Sequence, residues 1–216
     1  MEKMVLENHM QQLVTRYPDL DICTHDIIAA FQLCAEAFHS DGKMLLCGNG
    51  GSASDCDHIV GELMKGFLSK RPVPSSFRNS LVQEWDELNG DYLADRLQQA
   101  LPAISLTNHS ALVTAFGNDV EPEMIFAQQV YGYGKKGDIL LALSTSGNST
   151  NVIRAVQIAR AMGMPTVGLT GKQGGRLKDL CDVTITVPWE QTPDIQERHL
   201  PIYHTLCIML EREFFG

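Results

Sequence analysis

A glycine-rich turn stands directly in front of a segment that carries a histidine and a glutamate four residues apart. The run is Leu45-Leu46-Cys47-Gly48-Asn49-Gly50-Gly51-Ser52, followed by Ser54-Asp55-Cys56-Asp57-His58 and then Glu62. Glycine lets the backbone come close to a ligand, and Ser52 is suited to capping the helix that follows. The unpaired N–H groups and positive dipole end of a helix start suit a phosphate. His58 and Glu62 then fall on one face of that helix. One turn of helix lies only ~6 Å beyond its cap, a depth that a sugar chain can reach from a bound phosphate. A phosphate cradle beside a titratable pair points to an enzyme acting on a phosphorylated metabolite. The plainer reading of the pair is a solvated surface contact of little energetic worth.

A second turn, Ser144-Thr145-Ser146-Gly147-Asn148-Ser149, follows another apolar run. Its hydroxyls and backbone N–H groups form the kind of nest that holds phosphate oxygens without lysine. Either turn alone could be an ordinary capping loop. Two of them on strands of one sheet, each opening a helix, are more specific. Near the C-terminus stand Gln196, Glu197, His199 and His204. His199 and His204 are five apart and cannot share one helix face, and spacing alone does not choose between them. A carboxylate that removes a proton alpha to a carbonyl, with a histidine that moves a proton between the oxygens of a cis-enediol, performs aldose–ketose isomerisation. Such chemistry needs no redox or nucleotide cofactor.

These residues need elements to position them. Residues 5 to 17 and 24 to 40 read as amphipathic helices, the second with Ile27, Ile28, Phe31, Leu33, Cys34, Ala37 and Phe38 at helical spacing. Short strands are expected at 44–47, 103–106, 138–143, 165–169 and 183–187. Helices are expected at 53–67, 110–116, 122–131 and 151–162, and a last one to about 214, with Thr192 as cap and Pro193 at its first position. Strands alternating with helices imply a mostly parallel sheet covered on both faces, with ligands beyond the carboxyl ends of the strands. Residues 73 to 100 break the alternation. They start as loop, turn helix-compatible later, and have the length of a lid, an interface element or a disordered insertion.

With 216 residues the chain suits a single domain, and its net charge of −9 argues against a nucleic-acid or anionic-membrane surface. An anionic substrate must therefore meet local donors. The six cysteines, Cys23, Cys34, Cys47, Cys56, Cys181 and Cys207, show no paired spacing and read as reduced thiols in a cytoplasmic protein. The N-terminal residues lack the apolar core of a signal peptide, and no apolar run is long enough to span a membrane.

Taken together, the chain resembles the sugar isomerase (SIS) domain family and, within it, the phosphoheptose isomerases. The resemblance rests on Cys47 to Ser52, His58 to Glu62, Gly117-Asn118-Asp119, Gly137-Asp138 to Ser149, Leu169-Thr170-Gly171 with Gly174-Gly175, and Thr192 to Glu197. It covers nearly all of residues 1–216 except 73–100. It implies one α/β domain, a three-layer α/β/α fold with a five-stranded parallel sheet. It also implies a homotetramer, with active sites near subunit interfaces and the N-terminal and C-terminal helices in oligomer contacts. By the same resemblance Ser52, Ser144, Thr145, Ser146 and Ser149 bind substrate phosphate. Asn49, Gly50 and Gly51 line the sugar site, and Asn108 and Gln196 also touch substrate. Glu62 becomes the base and His204 its acid partner, in the conversion of sedoheptulose 7-phosphate to D-glycero-D-manno-heptose 7-phosphate.

Some relatives carry zinc on residues matching His58, Glu62, Gln196 and His204. Glutamine is a poor ligand, and residues eight apart on a helix are separated by ~12 Å of rise. One ion takes both Gln196 and His204 only if the helix starts irregularly or if subunits share the site. The chain departs from the pattern at Asn108-His109, where relatives place an aspartate against the sugar, and in the insertion, which is expected to cover or reshape the sugar end. Three other readings stand beside this one. They are a non-catalytic relative that binds the bacterial replication initiator, a sugar-phosphate-sensing domain, and an isomerase of another ketose phosphate. Glu62 and His204 favour an enzyme over the first.

Overall fold

The computed structural model describes residues 3–216. The elements are α1 (Lys3–Arg16), α2 (Thr24–His39), β1 (Met44–Cys47), α3 (Gly51–Met64), α4 (Ser75–Glu84), α5 (Glu87–Arg96), β2 (Ala103–Ser105), α6 (Ser110–Asp119), α7 (Ile125–Tyr133), β3 (Ile139–Leu143), α8 (Thr150–Ala161), β4 (Thr166–Thr170), α9 (Gly175–Leu180), β5 (Val183–Thr186) and α10 (Thr192–Phe215). Two 3-10 turns, Pro18–Cys23 and Pro122–Met124, lead into α2 and α7. The five strands form one parallel sheet in the order β2-β1-β3-β4-β5, with Leu45 of β1 between Ile104 and Leu140.

β1 and β3 are apolar at every position because both faces of the sheet are covered. Met44 and Leu46 of β1, with Ile139, Leu141 and Leu143 of β3, point into a core shared with α1, α2, α3 and α10. Leu45, Cys47, Leu140 and Ala142 point the other way, against α7, α8 and α9. The expected three-layer arrangement is therefore present. All six cysteines are free, and no helix among the described residues is long and apolar enough to cross a membrane.

Several local expectations differ. α3 begins two residues early, with Gly50 at its cap in a left-handed conformation (φ 58°) and no side-chain cap bond. Ser52 is not the cap but a buried residue of the first turn. Thr192 is likewise the first helical residue rather than the cap, because Gln191 takes that place. α9 was not expected; it is a six-residue helix entered through Gly174 at φ 71°. Residues 73–100 form a helical hairpin, α4 against α5. The two helices close at Gly90, where a Cβ would lie 2.5 Å from the Val82 Cα, and Arg78 bonds Asp91 and Asp95.

The hairpin springs from a loop fixed by one buried ion pair. Glu211 of α10 accepts from the backbone N–H groups of Phe67 (2.7 Å), Leu68 (2.8 Å) and Ser69 (3.1 Å) and from Arg71 Nε (2.8 Å). Arg71 also donates to the carbonyls of Leu63 (2.8 Å) and Glu62 (3.2 Å) at the end of α3. Both side chains are almost wholly out of water. Burial alone would raise the Glu211 pKa, but the donors of Phe67, Leu68 and Arg71 outweigh it and hold the carboxyl below its usual range. Removing one partner strands the other charge. Glu211→Ala is expected to cost about 3–5 kcal/mol of stability, read by urea denaturation; a loss under about 1 kcal/mol would show that the pair is not the anchor described.

Candidate active site

The strand order reverses between β1 and β3, and in doubly wound sheets the ligand crevice opens at that point, beyond the carboxyl ends. The two turns singled out in the sequence meet there. Asn49, after β1, and Asn151, at the start of α8, exchange two amide hydrogen bonds of 2.8 and 2.9 Å. Asn151 Oδ1 also accepts from the Val152 N–H, so the amide pair is tied to the first turn of α8. Ser144 and Ser149 share a 2.9 Å hydroxyl bond, and Ser146 Oγ accepts from the Asn148 N–H. Gly147 is obligatory in this loop. It sits at φ 66°, and a Cβ there would lie 1.9 Å from the Gly174 carbonyl. Asn148 in turn accepts from the Arg176 N–H of α9, which braces the loop from outside.

Gln196 joins the crevice from α10: its amide lies over Gly51, so close that a Cβ on Gly51 would come within 2.5 Å of Nε2. Asn108 lies at the neighbouring strand end. Its amide donates to Asp57 (2.7 Å), and Thr107 donates to the same oxygen (3.0 Å). Asp57 is thus a carboxylate of the crevice rim that the sequence did not single out. The His109 ring instead packs 5.3 Å from the Tyr133 ring.

The titratable residues gather further along α3. His58 Nε2 lies 3.3 Å from Glu62 Oε1 and 3.5 Å from His204 Nε2. The His58 side chain is 43% exposed but that of Glu62 only 12%, so the carboxylate is shielded while the imidazole stays open to solvent. Lys65 Nζ donates to its other oxygen at 2.9 Å. Burial lowers the His204 pKa, and the adjacent His58 adds to this against the opposite pull of Glu62. The ring therefore stays neutral near pH 7. Behind the cluster, Tyr203 Oη lies 3.1 Å from His58 Nδ1 and donates to Asp55 Oδ1 at 3.2 Å. The sequence pointed to neither Asp55 nor Tyr203, since a tyrosine inside an apolar helix reads as core. A cavity of about 640 Å³ between α1 and α10 opens beside His204, lined also by Leu13, Tyr17, Phe67 and Leu200.

The expected site residues thus divide into two groups. Asn49, Gly50, Gly51, Ser52, Ser144, Thr145, Ser146, Ser149 and Gln196 belong to the crevice. His58, Glu62 and His204 form the cluster. Gln196 stands over Gly51, eight residues and ~12 Å of rise along α10 from His204, with Pro201 inside the helix between them. Among the described residues no three His, Cys, Asp or Glu side chains already stand as a metal-holding group. The hairpin contributes no side chain to the cavity beside His204 or to the surface around Asn49 and Ser149.

A doubly wound sheet with a hydroxyl-rich crevice at its switch point, and an imidazole between a carboxylate and a second imidazole, is the frame of an α/β enzyme of phosphorylated sugars. The SIS domain family matches residues 10–83 and 89–171. The chain belongs to this family. It is 43% identical over 188 residues to a phosphoheptose isomerase of a Nitratiruptor species, covering 87% of this chain and 86% of the relative. It is 34% identical over 211 residues to one from Akkermansia muciniphila, covering 98% and 97%. Among solved structures it superposes on a phosphoheptose isomerase from Francisella tularensis with a TM-score of 0.74 at 28% identity, covering 98% and 100% of the two chains. The corresponding structure from Neisseria gonorrhoeae gives 0.73 at 29% identity, covering 97% and 98%.

His199, the alternative to His204, is fully buried on α10, and neither ring nitrogen has a bonding partner. Burial pushes its pKa down to about 4, against a small opposing effect of the Thr170 backbone. The folded state keeps this ring neutral while the unfolded chain takes up a proton below about pH 6.5. Stability is therefore lost as pH falls from that value towards 4, and the loss levels off below it. His199→Leu should remove a slope of about 1.4 kcal/mol per pH unit in that window relative to wild type, measured by denaturation at several pH values. Parallel curves for the two proteins would place the ring in contact with water.

Proposed function

We propose that this protein is an aldose–ketose isomerase converting sedoheptulose 7-phosphate to D-glycero-D-manno-heptose 7-phosphate. The observation that carries the reading is the pairing of the two halves: a lysine-free crevice of N–H and hydroxyl donors for the phosphate, and the Glu62–His58–His204 cluster for proton transfer. The phosphoheptose isomerase relative from Akkermansia muciniphila aligns over 98% of the chain, a share that takes in the span from Asn49 to His204. Glu62 takes the proton from C1 of the ketose. His204, held neutral by its surroundings, gives a proton to O2 and forms the cis-enediol. It then recovers one from O1 as Glu62 returns its proton to C2.

The same reading makes the protein a homotetramer of the cytoplasm with zinc as its metal. His58, Glu62 and His204 supply two imidazoles and a carboxylate, which suit zinc, and Gln196 supplies a weaker amide ligand. Since eight residues of α10, ~12 Å of rise, separate Gln196 from His204, the amide would come from a second copy. The apolar cavity beside His204, with exposed Leu200 and Leu68 at its edge, suits the approach of that copy. Bound zinc would polarise the substrate carbonyl as a Lewis acid.

Proton NMR with sedoheptulose 7-phosphate in deuterated water tests the reaction, with an aldose signal carrying deuterium at C2 as the expected product. Glu62→Gln should reduce turnover by at least about 10²-fold, the lower end expected for general base catalysis, with phosphate binding retained; a fully active variant would overturn the assignment of the base. Ser146→Ala should raise KM by about 5- to 10-fold and leave kcat near wild type, because a contact to the non-reacting phosphate is uniform binding. A kcat loss without a KM change would move Ser146 from the phosphate to the reacting end.

A further inference from the structure

We propose that Asp55 and Tyr203 are positioning residues that keep a proton on His58 Nδ1, so that Nε2 is the nitrogen through which this histidine acts. The proposal deepens the isomerase reading and rests on it for its catalytic consequence. Asp55 Oδ2 is buried without a hydrogen-bond partner, and Oδ1 accepts from Tyr203 Oη at 3.2 Å. A phenol has a single proton to give. With that proton committed to the carboxylate, Tyr203 presents only lone pairs to His58 Nδ1, 3.1 Å away. The contact is a hydrogen bond only if Nδ1 carries hydrogen. The two rings meet edge to face, with centroids 5.5 Å apart, and this fixes the imidazole plane as well.

Which ring nitrogen is protonated is set by the bond that the other one makes. With Nδ1–H held by Tyr203, any proton or cation that His58 takes or gives must pass through Nε2. That atom faces Glu62 Oε1 at 3.3 Å and His204 Nε2 at 3.5 Å. Asp55 and Tyr203 therefore aim the one variable nitrogen of His58 at the two residues assigned to the reaction. Tyr203 itself is only 1% exposed, so its hydroxyl is held in place by packing.

The test is nitrogen-15 NMR of the full-length protein at about pH 8.5, above the ordinary range of histidine titration, combined with steady-state kinetics. Wild type should show a protonated, pyrrole-type Nδ1 at His58. Tyr203→Phe, which keeps the ring and removes Oη, should shift His58 towards the Nε2–H form. Its kcat should fall about 10- to 100-fold, as is usual when an outer partner of a functional histidine is lost, with KM within about twofold of wild type. Asp55→Asn, whose amide can turn its N–H to the phenol and free that proton for His58, should move both readouts in the same direction and serves if Tyr203→Phe does not fold. A wild-type Nδ1 without hydrogen overturns the proposal outright, as does a variant that loses kcat while Nδ1 stays protonated. A variant with unchanged kcat and tautomer overturns it as well. The NMR result holds whether or not sedoheptulose 7-phosphate is the substrate, so failure of the tautomer and failure of the isomerase reading are separable.

Discussion

A guanidinium and a carboxylate, both removed from water, hold α3 against α10. Arg71 reaches the last carbonyls of α3 while Glu211 gathers three backbone N–H groups and the guanidinium itself. Such a pair gains little over a well-packed apolar pair, since desolvation offsets most of its attraction. Its value is geometric. Every donor and acceptor in it needs one register of the two helices, and a slip of one residue on α10 would leave a buried charge and several backbone groups without partners. The Arg71 guanidinium also lies over the Phe215 ring, which carries the constraint to the last turn of α10.

That register matters because both helices carry both halves of the chemistry. α3 starts at the crevice with Gly51 and Ser52 and carries His58 and Glu62 further along. α10 places Gln196 over Gly51 and His204 beside His58. The two helices run the same way from the crevice to the cluster, and ~1.5 Å of rise per residue sets the separation on each. A displacement of one relative to the other would break the Gln196–Gly51 contact and the His58–His204 contact together. The part-buried hydrogen bonds that join Tyr203 to Asp55 and to His58 are a second cross-link at half height. Rigidity of the helix pair is thus the condition for a site whose parts are far apart in sequence.

The alternating elements and the crevice were legible in the sequence because both depend on local patterns. Met44–Cys47 and Ile139–Leu143 are apolar throughout and end in turns whose glycines and hydroxyls have few other uses. The His58–Glu62 pair was legible from its spacing on one helix. What was not legible depends on contacts between distant segments. Nothing in the chain says that Arg71 meets Glu211, that Asp57 receives Asn108, or that Asp55 and Tyr203 share a proton. The choice between His199 and His204 is of the same kind. Both lie on α10, and only packing of the helix shows that the first faces the core and the second the cavity. α9 was missed because six residues give too short a period to detect, and the cap positions were missed because Gly50 uses backbone conformation instead of a side chain.

The proposed phosphate site works against the charge of the chain. It carries a net charge of −9, and neither Gly48–Ser52 nor Ser144–Ser149 contains a lysine or arginine. A positive field would reach several ångströms and draw anions of many shapes. Hydroxyls and helix-end N–H groups act only at contact, so in the proposed reading they would select a phosphate that fits between the two turns. The reciprocal Asn49–Asn151 bonds and the Ser144–Ser149 bond hold the two turns in place before any ligand arrives. Little ordering is then left to be done on binding. Specificity for the rest of the substrate must come from elsewhere, and Asp57 with Asn108 at the end of β2 and the cluster on α3 are the polar groups that flank the crevice along that path. In the proposed reading the phosphate end is built for fixed geometry, and the acidic and imidazole groups are left for the end where protons would move.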